Sequence, residues 1–114
     1  MIYGVGTDIV RIERMKRFCE KGYMERCFTK GEIEHCRNSR DIYETAAGIF
    51  AAKEAFSKAV GKDIFDVLKD VEVCYDEGKP FFGLKNGTGE GLRFSLSISH
   101  DGDYAVAFVV AEVE

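Results

Sequence analysis

The sequence is short of the features that mark membrane, secreted and disordered proteins. Tryptophan is absent, proline occurs once, and the longest apolar run is YAVAFVVA, residues 104–111. A membrane-spanning helix needs about 20 apolar residues, so this run is too short. The N-terminus has no basic stretch followed by an apolar core, as a secretion signal would. With 46% hydrophobic residues and one proline, the composition excludes a disordered or low-complexity chain.

Positive charge is also scarce, because 16 lysines and arginines stand against 20 aspartates and glutamates and give a net charge of −4. A chain of this sign has no global field that attracts nucleic acid or an anionic membrane, so we expect neither as a partner. Any anion that the protein binds must therefore be held by a local basic cluster.

The cysteine pattern and the chain length both bear on where the protein works and how its site is built. The four cysteines form no C-x-x-C pair and match no zinc-finger spacing, so we interpret them as free thiols of a reducing, cytoplasmic protein. The length of 114 residues predicts one domain spanning 1–114. A domain of that size buries roughly two-thirds of its unfolded surface, which leaves little depth for a private active site. A site shared between subunits is therefore favoured.

The first ten residues, MIYGVGTDIV, mix β-branched residues with glycine and predict a strand. Side chains alternate faces along a strand, so Gly4, Gly6 and Asp8 share one face. A glycine-lined face that ends in a carboxylate leaves space for a ligand to approach closely. Close packing of a helix on the glycines, or a β-bulge, explains the pattern equally well.

Three helices are predicted in the first half of the chain. The first spans 11–18 and carries a basic strip, Arg11, Arg14 and Arg17, that is either solvated or docks an acidic partner. The second begins near Lys30, because Thr29 and Glu32 have the spacing of a capping box.

The third and longest helix runs from about Asp41 to Val60, and Gly61 is expected to be its C-cap. A polar flank follows the i, i+3, i+4, i+7 pattern of one helix face. The predicted buried stripe is Ile49, Ala52, Phe56, Ala59 and Val60, and the polar flank is Glu54, Ser57, Lys58 and Gly61.

The second half of the chain is predicted to be β. DVEVCY and FFGL flank the turn DEGKP as a hairpin, and RFSLSIS alternates apolar residues with serine. An Asp-Gly turn then leads to YAVAFVVAEV, whose two apolar faces predict a central strand. The expected fold class is α+β: one small domain in which an antiparallel sheet is packed by one long helix and shorter helices.

Asp8, Glu54 and His100 bring functional groups to three separate elements. Two carboxylates from different elements suit Mg²⁺, which prefers oxygen ligands and takes the rest of its shell from water and substrate phosphates. Lys58 could neutralise a phosphate oxygen, and His100 could contact the same anion or transfer a proton. Plainer interpretations are a surface ion pair of Glu54 with Lys58, and a turn histidine bonded to backbone.

Four motifs occur in an order that resembles a known family. They are GTDIV at 6–10, FAAKEAFSKAVG at 50–61, GKP at 78–80 and SISHDGDYAVA at 97–107, and the capping-box segment FTKGE also matches. Together they resemble the phosphopantetheinyl transferases of the holo-[acyl-carrier-protein] synthase family, over essentially the whole chain. The resemblance implies Mg²⁺-dependent transfer of phosphopantetheine from coenzyme A to a serine of apo acyl carrier protein, in support of fatty acid biosynthesis. Adenosine 3′,5′-bisphosphate is the second product.

The resemblance also implies a role for individual residues. Asp8 and Glu54 would be the Mg²⁺ ligands, Lys58 and Gly61 would lie along the diphosphate, and His100 would lie near the coenzyme A phosphates. Glu54, Lys58 and His100 would be the catalytic residues. Arg40 matches a basic position near the nucleotide 3′-phosphate, and Arg14 one that docks the acidic carrier protein. Family members of this size form homotrimers with sites between neighbouring chains.

Two departures from the family pattern affect the surroundings of the site. Ile49 replaces a frequent arginine, and Lys62 and Asp63 replace a Thr-Gly turn after Gly61. Both bear on nucleotide affinity or on the loop beside the phosphates, and neither touches the expected metal ligands. Proton removal by a metal-held water or by Glu54 stays open. A catalytically idle coenzyme A or carrier-protein binder, and a metal-dependent phosphohydrolase, are the competing functional classes.

Overall fold

The computed structural model describes residues 1–114 and contains two antiparallel sheets and five helices. In chain order the elements are β1 (Ile2–Arg11), α1 (Ile12–Glu20), α2 (Met24–Cys27), α3 (Lys30–Arg37), α4 (Ile42–Val60), α5 (Ile64–Val67), β2 (Val71–Asp76), β3 (Lys79–Leu84), β4 (Leu92–Asp101) and β5 (Tyr104–Val113). None of the helices combines the length and hydropathy that crossing a membrane requires.

The main sheet has the strand order β1-β5-β4, so β5 is central, as the apolar character of both its faces predicts. Its register aligns Asp8 of β1 with Ala107 of β5 and with Ile98 of β4. The second sheet is the predicted hairpin of β2 and β3. The inner face of β5 carries only small or branched residues: Ala105, Ala107, Val109 and Ala111, each completely buried.

Helix α4 packs on the inner face of the main sheet and contributes most of the core. Asp41 caps its N-terminus by accepting hydrogen bonds from the backbone of Tyr43 and Glu44, and Gly61 caps its C-terminus with φ of 74°. The C-cap is the one that the sequence predicts, and Asp41 is an N-cap of a favoured residue type. Much of the buried surface of α4 is alanine or glycine, so strand and helix backbones can approach closely: Ala46, Ala47, Gly48, Ala51, Ala52, Ala55 and Ala59.

The glycine face of β1 is occupied by α4. A Cβ atom on Gly4 would lie 2.0 Å from the carbonyl oxygen of Ala59, and one on Gly6 would lie 1.8 Å from that of Ala55. Close helix packing is therefore the correct explanation of the two glycines. The space beside them is filled by the helix backbone, and only the end of the strand, at Asp8, is left for a ligand.

Several sequence predictions need correction. Helix α1 begins at Ile12, so Arg11 belongs to the end of β1 and the predicted three-arginine strip is not on one helix. Val60 is half-buried, whereas Ser57 of the polar flank is buried and donates a hydrogen bond to the carbonyl of Glu54. The short helices α2 and α5 were not predicted, because four residues are too few to show a helical period.

The outer face of the main sheet is apolar and uncovered. Tyr3, Val5, Ile9 and Phe108 are each at least 50% exposed. They alternate with inward-facing residues along β1 and β5, and the serines of β4 extend the same face. A contiguous exposed apolar surface is typical of a protein–protein contact.

All four cysteines are free thiols, as predicted, with Cys27 and Cys36 buried and Cys19 and Cys74 half-buried. Burial raises the pKa of the Cys36 thiol to about 12, so this thiol stays protonated. Inert buried thiols of this kind contribute to packing and not to chemistry.

The close contact of Gly6 with α4 predicts that an added methyl group lowers the free energy of unfolding more in β1 than in β3. Gly6→Ala is expected to lower the free energy of unfolding by at least about 3 kcal/mol, because the new Cβ would overlap the backbone of α4. Gly83→Ala is the matched control: its Cβ would meet the Cys74 sulfur at 3.2 Å, and no backbone atom so closely. Urea unfolding followed by circular dichroism measures both, and equal losses in the two variants would contradict the proposed role of Gly6.

Candidate active site

The packing of β1 on α4 brings together three residues that the sequence predicted for one site. Lys58 on α4 donates to Asp8 Oδ1 at 3.1 Å and to the carbonyl oxygen of Thr7 at 3.0 Å. Glu54 lies one helical turn before Lys58, on the side of α4 that faces the end of β1. The plainer interpretation, an ion pair of Glu54 with Lys58, is wrong, because Lys58 pairs with Asp8.

Carboxylates lie close enough to one another in this cluster to affect the ionisation of Glu54. The pKa of Glu54 is raised, first by burial and then by the nearby carboxylates of Asp8 and Asp63, while Lys58 opposes the shift. Two carboxylates that destabilise each other's charge fit a divalent cation, because a cation would remove the repulsion between them. The donor set is oxygen only, which suits Mg²⁺. Water and phosphate oxygens would complete its shell.

A cleft of about 380 Å³ lies beside this pair. Asp8, Glu54 and Arg14 line it together with apolar side chains of α1 and α4. Arg14 was predicted as a carrier-docking residue, so the predicted docking and metal-binding residues share one cleft. A larger groove of about 830 Å³ lies along α2 and α3 and contains none of the predicted site residues.

The remaining predicted residues lie at the opposite end of α4. His100 Nε2 is 3.1 Å from the carbonyl oxygen of Glu44, in the first turn of the helix. Arg40 is exposed just before that turn and lines a shallow polar depression with Asp41 and Glu44. Within one chain, the geometry of His100 is that of the plainer interpretation, a histidine bonded to backbone.

The sheet register gives the separation of the two groups. His100 on β4 is two strands and two residues away from Asp8 on β1. With strands about 4.8 Å apart and a rise of about 3.4 Å per residue, the offset is about 10 Å across the sheet and about 7 Å along it. Within one chain, the backbones of His100 and Asp8 are therefore separated by about 12 Å.

Gly61 and the two residues after it form an exposed turn near the acidic pair. Gly61 is in the left-handed conformation, and its amide and that of Lys62 both donate to the carbonyl of Ser57. Asp63 caps the short helix α5 by accepting from the amide of Phe65 at 2.9 Å. The sequence identified Asp63 as a departure from the family pattern but did not predict that its charge would reach Glu54.

Sequence reasoning also missed the environment of Lys53. Its ammonium group is completely buried against the carboxylate of Glu32. The capping box at Thr29 and Glu32 gave only the local partner of the carboxylate. Lys53, the second partner of the Glu32 carboxylate, is 21 residues away, so no local sequence pattern predicts this contact.

Comparison with known proteins identifies the family of this chain. The chain belongs to the 4′-phosphopantetheinyl transferase superfamily, whose model matches residues 4–109. Its relatives include holo-[acyl-carrier-protein] synthases of Halothermothrix orenii, 40% identical over 98% of each chain, and of Geobacter sp. strain M21, 42% identical over 98% of this chain and 99% of the relative. The resemblance seen in the four motifs is thereby confirmed.

Solved structures give the same assignment and confirm the α+β fold class. A Bacillus anthracis holo-(acyl-carrier-protein) synthase in complex with CoA (3′,5′-ADP) is 39% identical, with a TM-score of 0.88 and coverage of 100% of this chain and 99% of that one. A Helicobacter pylori holo-[acyl-carrier-protein] synthase in complex with coenzyme A is 32% identical, with a TM-score of 0.82 over 95% and 99% of the two chains.

The raised pKa of Glu54 predicts a pH dependence whose sign is fixed. In the absence of divalent cations, Glu54 in the folded chain holds its proton at pH values where the unfolded chain is already ionised. The contribution of protonated Glu54 to the free energy of unfolding is therefore lost as the pH rises from its ordinary pKa of 4.5 through its raised pKa in the folded chain. Asp8→Asn is expected to lower the pKa of Glu54 and Lys58→Met to raise it. Carboxyl ¹³C NMR titration measures both, and shifts in the same direction would contradict the cluster.

Proposed function

We propose that this chain is a Mg²⁺-dependent holo-[acyl-carrier-protein] synthase, one phosphopantetheinyl transferase domain spanning 1–114. It transfers phosphopantetheine from coenzyme A to a serine of apo acyl carrier protein and releases adenosine 3′,5′-bisphosphate. The observation that carries the proposal is the placement of Asp8 and Glu54 together at the end of β1, beside Lys58, in a chain related to synthases over nearly its full length. The free thiols support a reducing, cytoplasmic environment.

The chain's own residues bind and orient, because the nucleophile belongs to the carrier protein. The reaction forms a phosphoester bond to the carrier's serine and breaks the diphosphate bond of coenzyme A, so negative charge develops on the departing bisphosphate. Asp8 and Glu54 would hold Mg²⁺, which supplies positive charge to the diphosphate when bound. Lys58 is 53% exposed, so its ammonium group can exchange Asp8 for a phosphate oxygen. Gly61 would lie along the diphosphate.

The separation of His100 and Arg40 from the acidic pair supports a site built between subunits. A neighbouring chain would contribute His100 and Arg40 to the coenzyme A phosphates, while the first chain contributes Asp8, Glu54 and Lys58. The uncovered outer face of the main sheet supports self-association, which we propose to be a homotrimer. In a closed cyclic trimer, every chain would contribute its Asp8, Glu54 and Lys58 to one site and its His100 and Arg40 to another.

The carrier protein would dock on α1. Arg14 is exposed at the rim of the cleft that holds Asp8 and Glu54, so a carrier bound there presents its serine to the acidic pair. Arg17 and Lys21 are also exposed and extend the same basic surface with Tyr23. An acidic carrier complements this local charge although the whole chain is negative.

The proposed activity predicts a metal-dependent mass gain of the carrier. Apo acyl carrier protein, coenzyme A and Mg²⁺ with the wild-type chain should give phosphopantetheinylated carrier by intact mass spectrometry, and EDTA should abolish the gain. Glu54→Gln should reduce the rate at least about 100-fold, because one carboxylate ligand is lost while the side-chain shape is kept. Glu90→Gln, which makes the same change at an exposed carboxylate in the turn between β3 and β4, is the matched control. Undiminished transfer by Glu54→Gln would refute the role of Glu54.

The same assay separates the competing functions. A coenzyme A or carrier-protein binder would associate with the carrier without any mass gain. A phosphohydrolase would release adenosine 3′,5′-bisphosphate from coenzyme A when no carrier is present. Either result would overturn the transferase assignment.

The shared site predicts complementation between inactive variants. Glu54→Gln and the double variant Arg40→Ala/His100→Ala damage opposite halves of the site, so each alone should be inactive. Co-expressed in equal amounts, they should regain about one quarter of wild-type activity, because random assembly pairs intact halves in about one site in four. Activity of isolated mixed oligomers measures this, with sedimentation velocity to verify assembly. A mixture as inactive as its parents would contradict a site between chains.

A further inference from the structure

Lys53 and Glu32 form an ion pair at the centre of the protein that the proposed reaction does not use. Lys53 Nζ lies 2.8 Å from Glu32 Oε1, and both side chains are completely buried. Lys53 immediately precedes Glu54 on α4, and Glu32 lies in the first turn of α3. A charged pair without access to solvent or substrate contributes to the protein through what it holds in place.

The pair connects four elements by directional hydrogen bonds. Glu32 Oε1 also accepts from the amide of Thr29 at 2.9 Å, and Oε2 accepts from the amide of Val73 on β2 at 2.7 Å. Lys53 Nζ donates a second hydrogen bond, at 3.0 Å, to the carbonyl of Cys27 at the end of α2. No buried side-chain nitrogen or oxygen in the protein is left without a partner. We call Lys53, Glu32 and these three backbone groups the polar hub.

Stability alone does not explain the polar hub. Replacing a buried ion pair by apolar residues is often neutral or stabilising, because the desolvation of two charges offsets their attraction. What an apolar pair cannot supply is the directionality of hydrogen bonds, which restricts where each donor lies relative to its acceptor.

The rotation of α4 about its own axis has to be fixed on the side that faces α3 and β2. The contact of α4 with β1 is made largely by glycine against alanine backbone, and the side-chain hydrogen bonds that join the two elements come from the exposed Lys58. Glu54 is about 100° from Lys53 around the helix axis, so the polar hub and the acidic pair lie on adjoining faces of α4. With side chains about 5–6 Å from the axis, a rotation of only 10° moves the Glu54 side chain by about 1 Å. Active sites lose function at displacements of that size.

We propose that the Glu32–Lys53 pair is a positioning device for Glu54: it fixes the rotation of α4 so that the carboxylate of Glu54 meets that of Asp8. The inference rests on the proposed metal site and deepens it. Neither Lys53 nor Glu32 touches substrate or metal. Their effect reaches the reaction through the backbone of α4, one residue before the ligand.

The test removes the charges while keeping the shapes. In Lys53→Met/Glu32→Gln, the methionine keeps the chain length of lysine, and the amide oxygen keeps one acceptor for the backbone. Mn²⁺ binding to the full chain without coenzyme A is measured by electron paramagnetic resonance, at a temperature where circular dichroism shows the variant folded. We expect Mn²⁺ affinity to fall about 10-fold, as for loss of a residue that orients a metal ligand. Turnover should fall through kcat, with KM for coenzyme A unchanged.

A matched control separates positioning from general stability. Val67→Ala creates a cavity in the smaller apolar cluster with Phe56 and Val71 and makes no contact with the polar hub. It should lower the unfolding midpoint and leave Mn²⁺ affinity unchanged. If Lys53→Met/Glu32→Gln does not fold, Glu32→Asp is measured in the same way, because it keeps both charges and shortens the reach of the carboxylate by one methylene. A several-fold loss of Mn²⁺ affinity is then expected.

The outcomes distinguish the failure of this inference from that of the proposed function. Wild-type Mn²⁺ affinity in the folded hub variant would overturn the positioning role, and so would an equal loss of affinity in Val67→Ala. Asp8→Asn serves as the reference for the metal site itself. If Asp8→Asn does not weaken Mn²⁺ binding, the proposed metal site fails and the positioning role fails with it.

Discussion

The contact of the β1 glycines with the backbone of α4 is the constraint on which the rest of the structure depends. Gly4 and Gly6 let the strand lie directly against Ala55 and Ala59, closer than any side chain would permit. That approach delivers Asp8, two residues beyond Gly6, to the flank of the helix that carries Glu54 and Lys58. Asp8 therefore meets Glu54 because the two backbones pack closely, and that packing requires residues 4 and 6 to lack a Cβ atom.

Helix α4 distributes the functional groups along its length. Its first turn meets His100, its middle is held by the polar hub, and its second half presents Glu54 and Lys58. A small chain can in this way carry two halves of a large substrate site without enclosing either. In the proposed assembly, the exposed apolar outer face of the sheet would be the surface through which chains associate and the two halves of the site meet.

Local patterns predicted local structure well and distant contacts poorly. The capping box at Thr29 and the left-handed Gly61 are written in a few neighbouring residues, and both are found. The family motifs identified Asp8 and Glu54. Burial of Lys53 was not predicted, because a lysine is almost never fully buried without a partner and the partner lies on another helix. The separation of His100 from Asp8 likewise depends on sheet register, which no single motif contains.

The completeness of the polar hub has an evolutionary consequence. Because Lys53 and Glu32 are each other's only charged partner in a sealed interior, losing either one strands an uncompensated charge there. Descendants of this chain can abandon the pair only by altering both positions nearly together, passing through an intermediate that folds badly. The two positions are therefore expected to change together.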